Sequence, residues 1–436
     1  MPRQRRLPVL VLIIAGLMPS LAYAWSIWRR YPAHLLSESG ALVVGDYVNL
    51  WAAGSLALAG RLDVVFDPTA YQAWMEGVFG SGLDQYLFAY PPTMLVLALP
   101  FGLLPLVPGF LVWTMASLAA LAGALRAAGL PIVMVAAIPV SPAAAENLVT
   151  GQTGSLIAAV LAGGLLMARA GRPVAAGLLL GLLVLKPQFG LLVPACLLAA
   201  RDWRATLCTG AAAVFYVAAT LPAFGVDAWR AHSDGSGALI VALLQAPFGL
   251  AFQYEMPSPF MSLRALGLGL AASYVTQAVI TLGCMLLVAS AWWPRARPGV
   301  ACTDAVALAL LLTPMATPYG HAYDLVVTAV GIALLAPAAL ASEAPSGWYW
   351  RRALAIAWLW PGMAMLVGTM LLPGLAPLVL APAMAYAALR AFGMVETGST
   401  EAGDTGAVEK IRTSTGLPLP APQAGASTIP PRPQTG

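Results

Sequence analysis

Long apolar runs alternate with short polar breaks along nearly the whole chain. Runs at 7–28, 109–128, 131–148, 153–168, 205–223, 266–291, 303–318, 323–340, 351–371 and 374–392 approach the ~20 residues that cross ~30 Å of hydrocarbon. The run 174–200 is interrupted by Lys186-Pro187-Gln188, which predicts two short helices meeting at a charged break. Residues 93–107 are apolar but short and flanked by prolines, so a half-helix or re-entrant piece is expected there. Two polar stretches, 29–92 and 225–264, read as long loops, with 47–59 able to lie along the membrane interface. The last stretch, 396–436, is rich in Gly, Ser, Thr and Pro and reads as a disordered tail. The expected fold is an all-α polytopic membrane protein of about 10–13 transmembrane helices, with 1–395 as its integral-membrane domain.

Composition removes the alternatives to that class. With 60% hydrophobic residues, 9% charged residues and mean hydropathy +0.81, the chain is no array of soluble domains. Arg3, Arg5 and Arg6 precede an apolar run ending in Ala22-Tyr23-Ala24. That resembles a cleavable secretory signal, although a retained first span suits the long run better. Cys196, Cys208, Cys284 and Cys302 lie in or beside apolar segments without paired metal spacing, so they read as buried small residues.

Charge then orients the chain. If the spans alternate from a cytoplasmic N-terminus, sixteen of the 22 lysines and arginines fall inside and six outside. This is the bias of a cytoplasmic-membrane protein with both ends in the cytoplasm. The same alternation sends Asp46, the turn from Glu146-Asn147 to Gly151-Gln152, Lys186, Arg264, His321 and Asp324 to the outer face. Polar residues at such depth face a cavity or one another.

Several of these residues could carry chemistry, and each also has a plain structural reading. Asp46, in Val44-Gly45-Asp46-Tyr47-Val48-Asn49-Leu50-Trp51, is either the cap of a short helix or a base at the membrane surface. Lys186 could neutralise a phosphate beside the helix start at Pro187, or snorkel to the interface. His321 and Asp324, three apart, could orient a substrate or stabilise a helix start. Arg264 could clamp a phosphate or anchor the interface. Tyr86, Phe88 and Tyr90 could stack on sugars or belt the membrane. Asp63 and Asp67 sit in turn-like sequence where local capping explains them; Glu76 is less easily set aside as a competing base. No Gly-rich phosphate loop follows a strand pattern, so a donor would have to come from the bilayer rather than as a nucleotide.

These pieces, in order, resemble a known family. Gly45-Asp46-Tyr47, Phe66-Asp67-Pro68, Tyr90-Pro91-Pro92 and Gly151-Gln152-Thr153-Gly154 come first. Leu185-Lys186-Pro187, Arg201-Asp202-Trp203, Ser258-Pro259 and Thr317-Pro318-Tyr319 follow. The pattern is similar to the GT-C class of polyprenyl-phosphate-sugar glycosyltransferases, most closely glycosyltransferase family 87. Two departures stand out: Thr150 and Thr153 occur where that family often has Asn, and 317–321 lacks the usual Trp. The resemblance implies GT-C-like external loops, Asp46 as catalytic base, and a polyprenyl-phosphate sugar donor. Mannose is the expected sugar, moved with inversion to a glycan or glycolipid acceptor. It makes Lys186, Arg264, His321, Asp324, Gln152 and Tyr90 the expected substrate-binding residues, with no metal, cofactor or nucleic acid. A secondary transporter or lipid flippase is the main alternative, since broken helices beside charges also mark transport sites.

Overall fold

The structure is a computed structural model that describes residues 40–294, 301–370 and 373–395, together with Met18 and Trp25. The rest of the expected first span at 7–28 and the tail at 396–436 lie outside the described residues. Helices make up 77% of the described residues, and no strand occurs among them. In hydrocarbon a helix satisfies every backbone group within one segment, so apolar runs of this kind fold no other way unless a barrel closes.

In chain order, α1 (Tyr47–Leu58), α2 (Pro68–Phe79) and α3 (Thr93–Gly102) precede the first long apolar helix, α4 (Leu106–Ala127). Then come α5 (Pro142–Thr150), α6 (Gly154–Arg169), α7 (Pro173–Gly181) and α8 (Trp203–Ala218). The second half holds α9 (Pro259–Ala265), α10 (Leu270–Trp292), α11 (Cys302–Ala316), α12 (Val326–Ala341) and α13 (Ala376–Ala391). Three helices can cross a membrane singly: α4, α10 and the 20-residue stretch Ala322–Ala341 that contains α12. Two bent pairs raise the number to five: Ile132–Val140 with α5, at 60°, and α8 with Leu221–Gln245, at 86°.

The polytopic helical architecture is as expected, but the anticipated crossings resolve into few unbroken spans and several apolar helices of 10–17 residues. Proline is the reason. Pro142, Pro173 and Pro187 each open a helix, where a missing N–H is harmless, and each bars continuation of the helix before it. At Lys186 the backbone leaves the helical region (φ −147°, ψ 73°) between two 3₁₀ turns, so the charged break lies where the sequence put it. The stretch 225–264 is less open than expected, because helices Leu221–Asp234 and Ser236–Gln245 and a 3₁₀ turn, Ala251–Glu255, run through it.

α6 and α11 are buried almost end to end, whereas α10 keeps Val275, Val279, Leu282 and Leu286 exposed. Such an apolar outer face belongs in lipid. All four cysteines are unpaired; Cys196 and Cys284 are buried as expected, but Cys302 is exposed at the start of α11.

Candidate active site

Two tight turns meet beneath α1. Gly45 and Gly151 both take left-handed backbone angles, with φ of +54° and +64°. A Cβ on Gly45 would lie 2.7 Å from the Thr150 carbonyl oxygen, and one on Gly151 would lie 2.4 Å from Tyr47 Cβ. Only glycine lets the two backbones touch. Trp113 then pins the second turn by donating its Nε1–H to the Gly151 carbonyl at 2.8 Å.

That contact sets Asp46 beside Gln152, 106 residues further on, whose amide donates to Asp46 Oδ2. The Tyr90 hydroxyl donates to Gln152 Oε1 at 3.0 Å, so Asp46, Gln152 and Tyr90 form one chain of contacts. Asp46 occupies the N-cap position of α1 yet makes no side-chain capping bond there. The residue as a whole is exposed, yet protein crowds its carboxylate from most sides. This burial raises its pKa above the usual carboxylate range; the Gln152 amide pulls it down and the Asp84 charge raises it further.

A second group forms at the helix break. Lys186 Nζ lies 2.5 Å from Asp324 Oδ1, and the residues are 4% and 1% exposed. Asp324 Oδ2 accepts the His321 backbone N–H at 3.1 Å, closing the 3₁₀ turn Ala322–Leu325. The ammonium also sits 5.2 Å from the ring centres of Phe189 and Tyr323. The sequence leaves Lys186 open to a phosphate or the interface, and His321 with Asp324 open to a substrate or a helix start. In the structure Asp324 pairs with Lys186 and meets His321 through the backbone. The His321 ring stacks on Tyr323 at 5.0 Å and meets Tyr319 edge-on at 5.3 Å. Burial brings its pKa down to about 4, with Asp324 opposing and Lys186 adding to the fall, so the imidazole is neutral near pH 7.

The two groups are neighbours. α5 and α6, which flank Gln152, both pack on the turn carrying Asp324. Burial raises the pKa of the Tyr90 and Tyr319 hydroxyls, and the charges of Asp324 and Asp46 both add to the rise. Glu255 belongs here too: burial pushes its carboxyl up to about 7, and the Asp46 charge adds to that. Glu146 lies within electrostatic reach of Glu255 and Asp324. Sequence reasoning missed Glu255, although a lone carboxylate in Phe252-Gln253-Tyr254-Glu255 before Pro257-Ser258-Pro259 was a usable signal.

Arg264 is not brought into this group. Its guanidinium donates to the carbonyls of Leu268, Gln245 and Ala246 at 3.2, 3.4 and 3.1 Å, at the far end of α9. The competing carboxylates are used locally. Asp67 caps α2 through the N–H groups of Thr69 and Ala70, Asp63 pairs with Arg61, and Glu76 accepts from Gln72 on the exposed side of α2.

A helical membrane protein that gathers carboxylates, tyrosines and a paired lysine in one place is built as an integral-membrane enzyme would be. The family model for Glycosyltransferase family 87 matches residues 88–318, more than half of the chain. The chain belongs to that family, and it is a membrane glycosyltransferase. Tyr90, Gln152, Lys186 and Glu255 lie inside the matched region; Asp46 precedes it, and His321 and Asp324 lie just beyond. No curated protein and no solved structure matches the chain.

Proposed function

We propose that this glycosyltransferase moves a hexose, mannose in the first instance, from a polyprenyl-phosphate donor to a glycan or glycolipid acceptor. The reaction is placed at the outer face of the cytoplasmic membrane, with both chain ends in the cytoplasm, and it inverts the anomeric centre. The observation that carries the reading is the bonding of Asp46. It stands where a helix cap would stand, makes no capping bond, and instead turns its carboxylate to Gln152.

In an inverting transfer the acceptor hydroxyl attacks the anomeric carbon while the bond to the lipid phosphate breaks. The hydroxyl proton passes to Asp46, and the bonding pair leaves on the phosphate. A raised carboxylate pKa makes Asp46 a stronger base than a surface aspartate, which favours this proton transfer. Lys186 has three N–H donors and gives one to Asp324, so the others remain for a phosphate oxygen. Neutral His321, Tyr90 and Tyr319 offer polar edges and ring faces to the sugar without adding charge. Family membership favours transfer over the transporter reading. The test is full-length protein in detergent given labelled polyprenyl-phosphate mannose and a membrane glycolipid extract. Label passing to the acceptor in the parent and not in Asp46→Asn is the expected result; equal transfer by both overturns the role of Asp46.

A further inference from the structure

α10 is a spanning helix with a lipid-facing side, yet its inward side carries Ser273, Gln277 and Thr281. Gln277 is 3% exposed and lies about 10 Å along the helix from its first turn. A side-chain amide at that depth is costly unless every polar atom is bonded. It is bonded throughout: Gln277 Oε1 accepts the Phe260 N–H at 2.9 Å, and Nε2 donates to the Met315 carbonyl at 2.9 Å and to Thr281 Oγ1 at 3.1 Å. Thr281 Oγ1 in turn lies 2.8 Å from the Ala316 carbonyl and 2.8 Å from the Gln277 carbonyl one turn back, and shares its one proton between them.

The partners explain the pattern. α11 stops at Ala316 because Pro318 has no N–H and holds Thr317 extended (φ −113°, ψ 140°). In a continuing helix the carbonyls of Met315 and Ala316 would receive the N–H groups of Tyr319 and Gly320. Tyr319 N–H is instead taken by Thr317 Oγ1 at 3.2 Å. Gln277 and Thr281 supply the missing donors, while Gln277 Oε1 takes an unpaired N–H at the start of α9. Ser258 adds a strap, donating to the Pro318 carbonyl at 2.9 Å. One spanning helix therefore fastens both the end of α11, which leads into Tyr319 and His321, and the start of α9, which follows Glu255.

We propose that Gln277 and Thr281 are positioning residues for the transfer reaction. They fix where Tyr319 and His321 stand, and so set the fit of the donor headgroup. This rests on the transferase reading above, but part of its test needs no substrate. The chain has three histidines, so labelled-histidine NMR of the full-length protein in micelles can follow His321 directly. In Gln277→Leu and Thr281→Val the His321 titration should move up from about 4 toward 6.5, the value of an unburied imidazole. The donor KM for labelled polyprenyl-phosphate mannose should rise roughly tenfold, the size set by one buried hydrogen bond. Thr281→Ser should restore both readouts, because it keeps the hydroxyl. If Gln277→Leu fails to fold, Thr281→Val against Thr281→Ser decides. An unshifted titration in folded variants, or a shifted one with parent kinetics, overturns the proposal. Should the parent not use this donor at all, the donor assignment fails separately, and the titration alone supports or overturns the fastening.

Discussion

Among the described residues, two buried ion pairs stand at opposite ends of α11, and they are nearly indistinguishable as pairs. Lys186–Asp324 is 2.5 Å long with side chains 5% and 2% exposed; Arg390–Asp304 is 3.0 Å long with side chains 7% and 3% exposed. Asp304 lies at the start of α11 and the candidate site beyond its end, about 18 Å along the helix. Each aspartate also accepts a backbone N–H three residues back, from His321 and from Ala301. What differs is the company. Arg390–Asp304 packs among helix ends with the buried ring of Tyr386 nearby. Lys186–Asp324 shares its surroundings with Glu146, and through Tyr90 and Tyr319 with Asp46. A buried pair in a protein is thus no sign of a site. Carboxylates beside it with no cation partner among the described residues are the better sign.

The largest expected effect separates the two ends directly. Asp46→Asn should lower turnover ~10²–10⁴-fold, the range of a positioned base, and Asp304→Asn should leave turnover per folded molecule unchanged. Initial rates with labelled donor, normalised to folded protein, measure both. A comparable loss in each would erase the contrast.

Next come the cations. Lys186→Met and Arg390→Met each strand a buried carboxylate, which costs about 3–5 kcal/mol, so both should melt earlier. Neutralising the stranded partner should recover stability in Lys186→Met/Asp324→Asn and in Arg390→Met/Asp304→Asn. Only the second pair should also recover transfer. Thermal midpoints alongside donor KM give the answer, and a fully active first pair would make Lys186 a structural residue.

A smaller effect is expected at Glu255. Its folded pKa of about 7 exceeds the 4.5 of an ordinary glutamate, so its contribution to stability is complete below about pH 4.5 and is lost as pH rises through about 7. Between pH 5.5 and 8 the parent midpoint should therefore fall, at ~2 °C for each kcal/mol lost, and Glu255→Gln should fall less. Transfer by Glu255→Gln should stay close to the parent's. Equal slopes for both proteins would remove Glu255 from the site.

The smallest effect is expected for Arg264→Gln, with the donor KM changed by no more than about twofold, the scale of an ordinary surface substitution. A tenfold rise would return Arg264 to the site and extend it beyond the end of α9.

The sequence by itself determined the class of molecule and its breaks. Apolar runs decided helices, because a backbone in hydrocarbon has no other partner within one segment. Pro187 and Pro318 marked interruptions, because a residue before proline is barred from the helical region and proline has no N–H. The motifs around Asp46, Gln152 and Lys186 were also legible, since they are local strings. Tertiary structure alone decided who meets whom. Gln152 reaches Asp46 across 106 residues, and Lys186 reaches Asp324 across 138, pairings that no local pattern encodes. It likewise turned Arg264 toward helix-end carbonyls, brought Glu255 within electrostatic reach of Asp46, and made Gln277 the fastener of α11. Hydropathy can say that a polar group inside the membrane must be satisfied, but only the packing of separate helices supplies the partner that satisfies it.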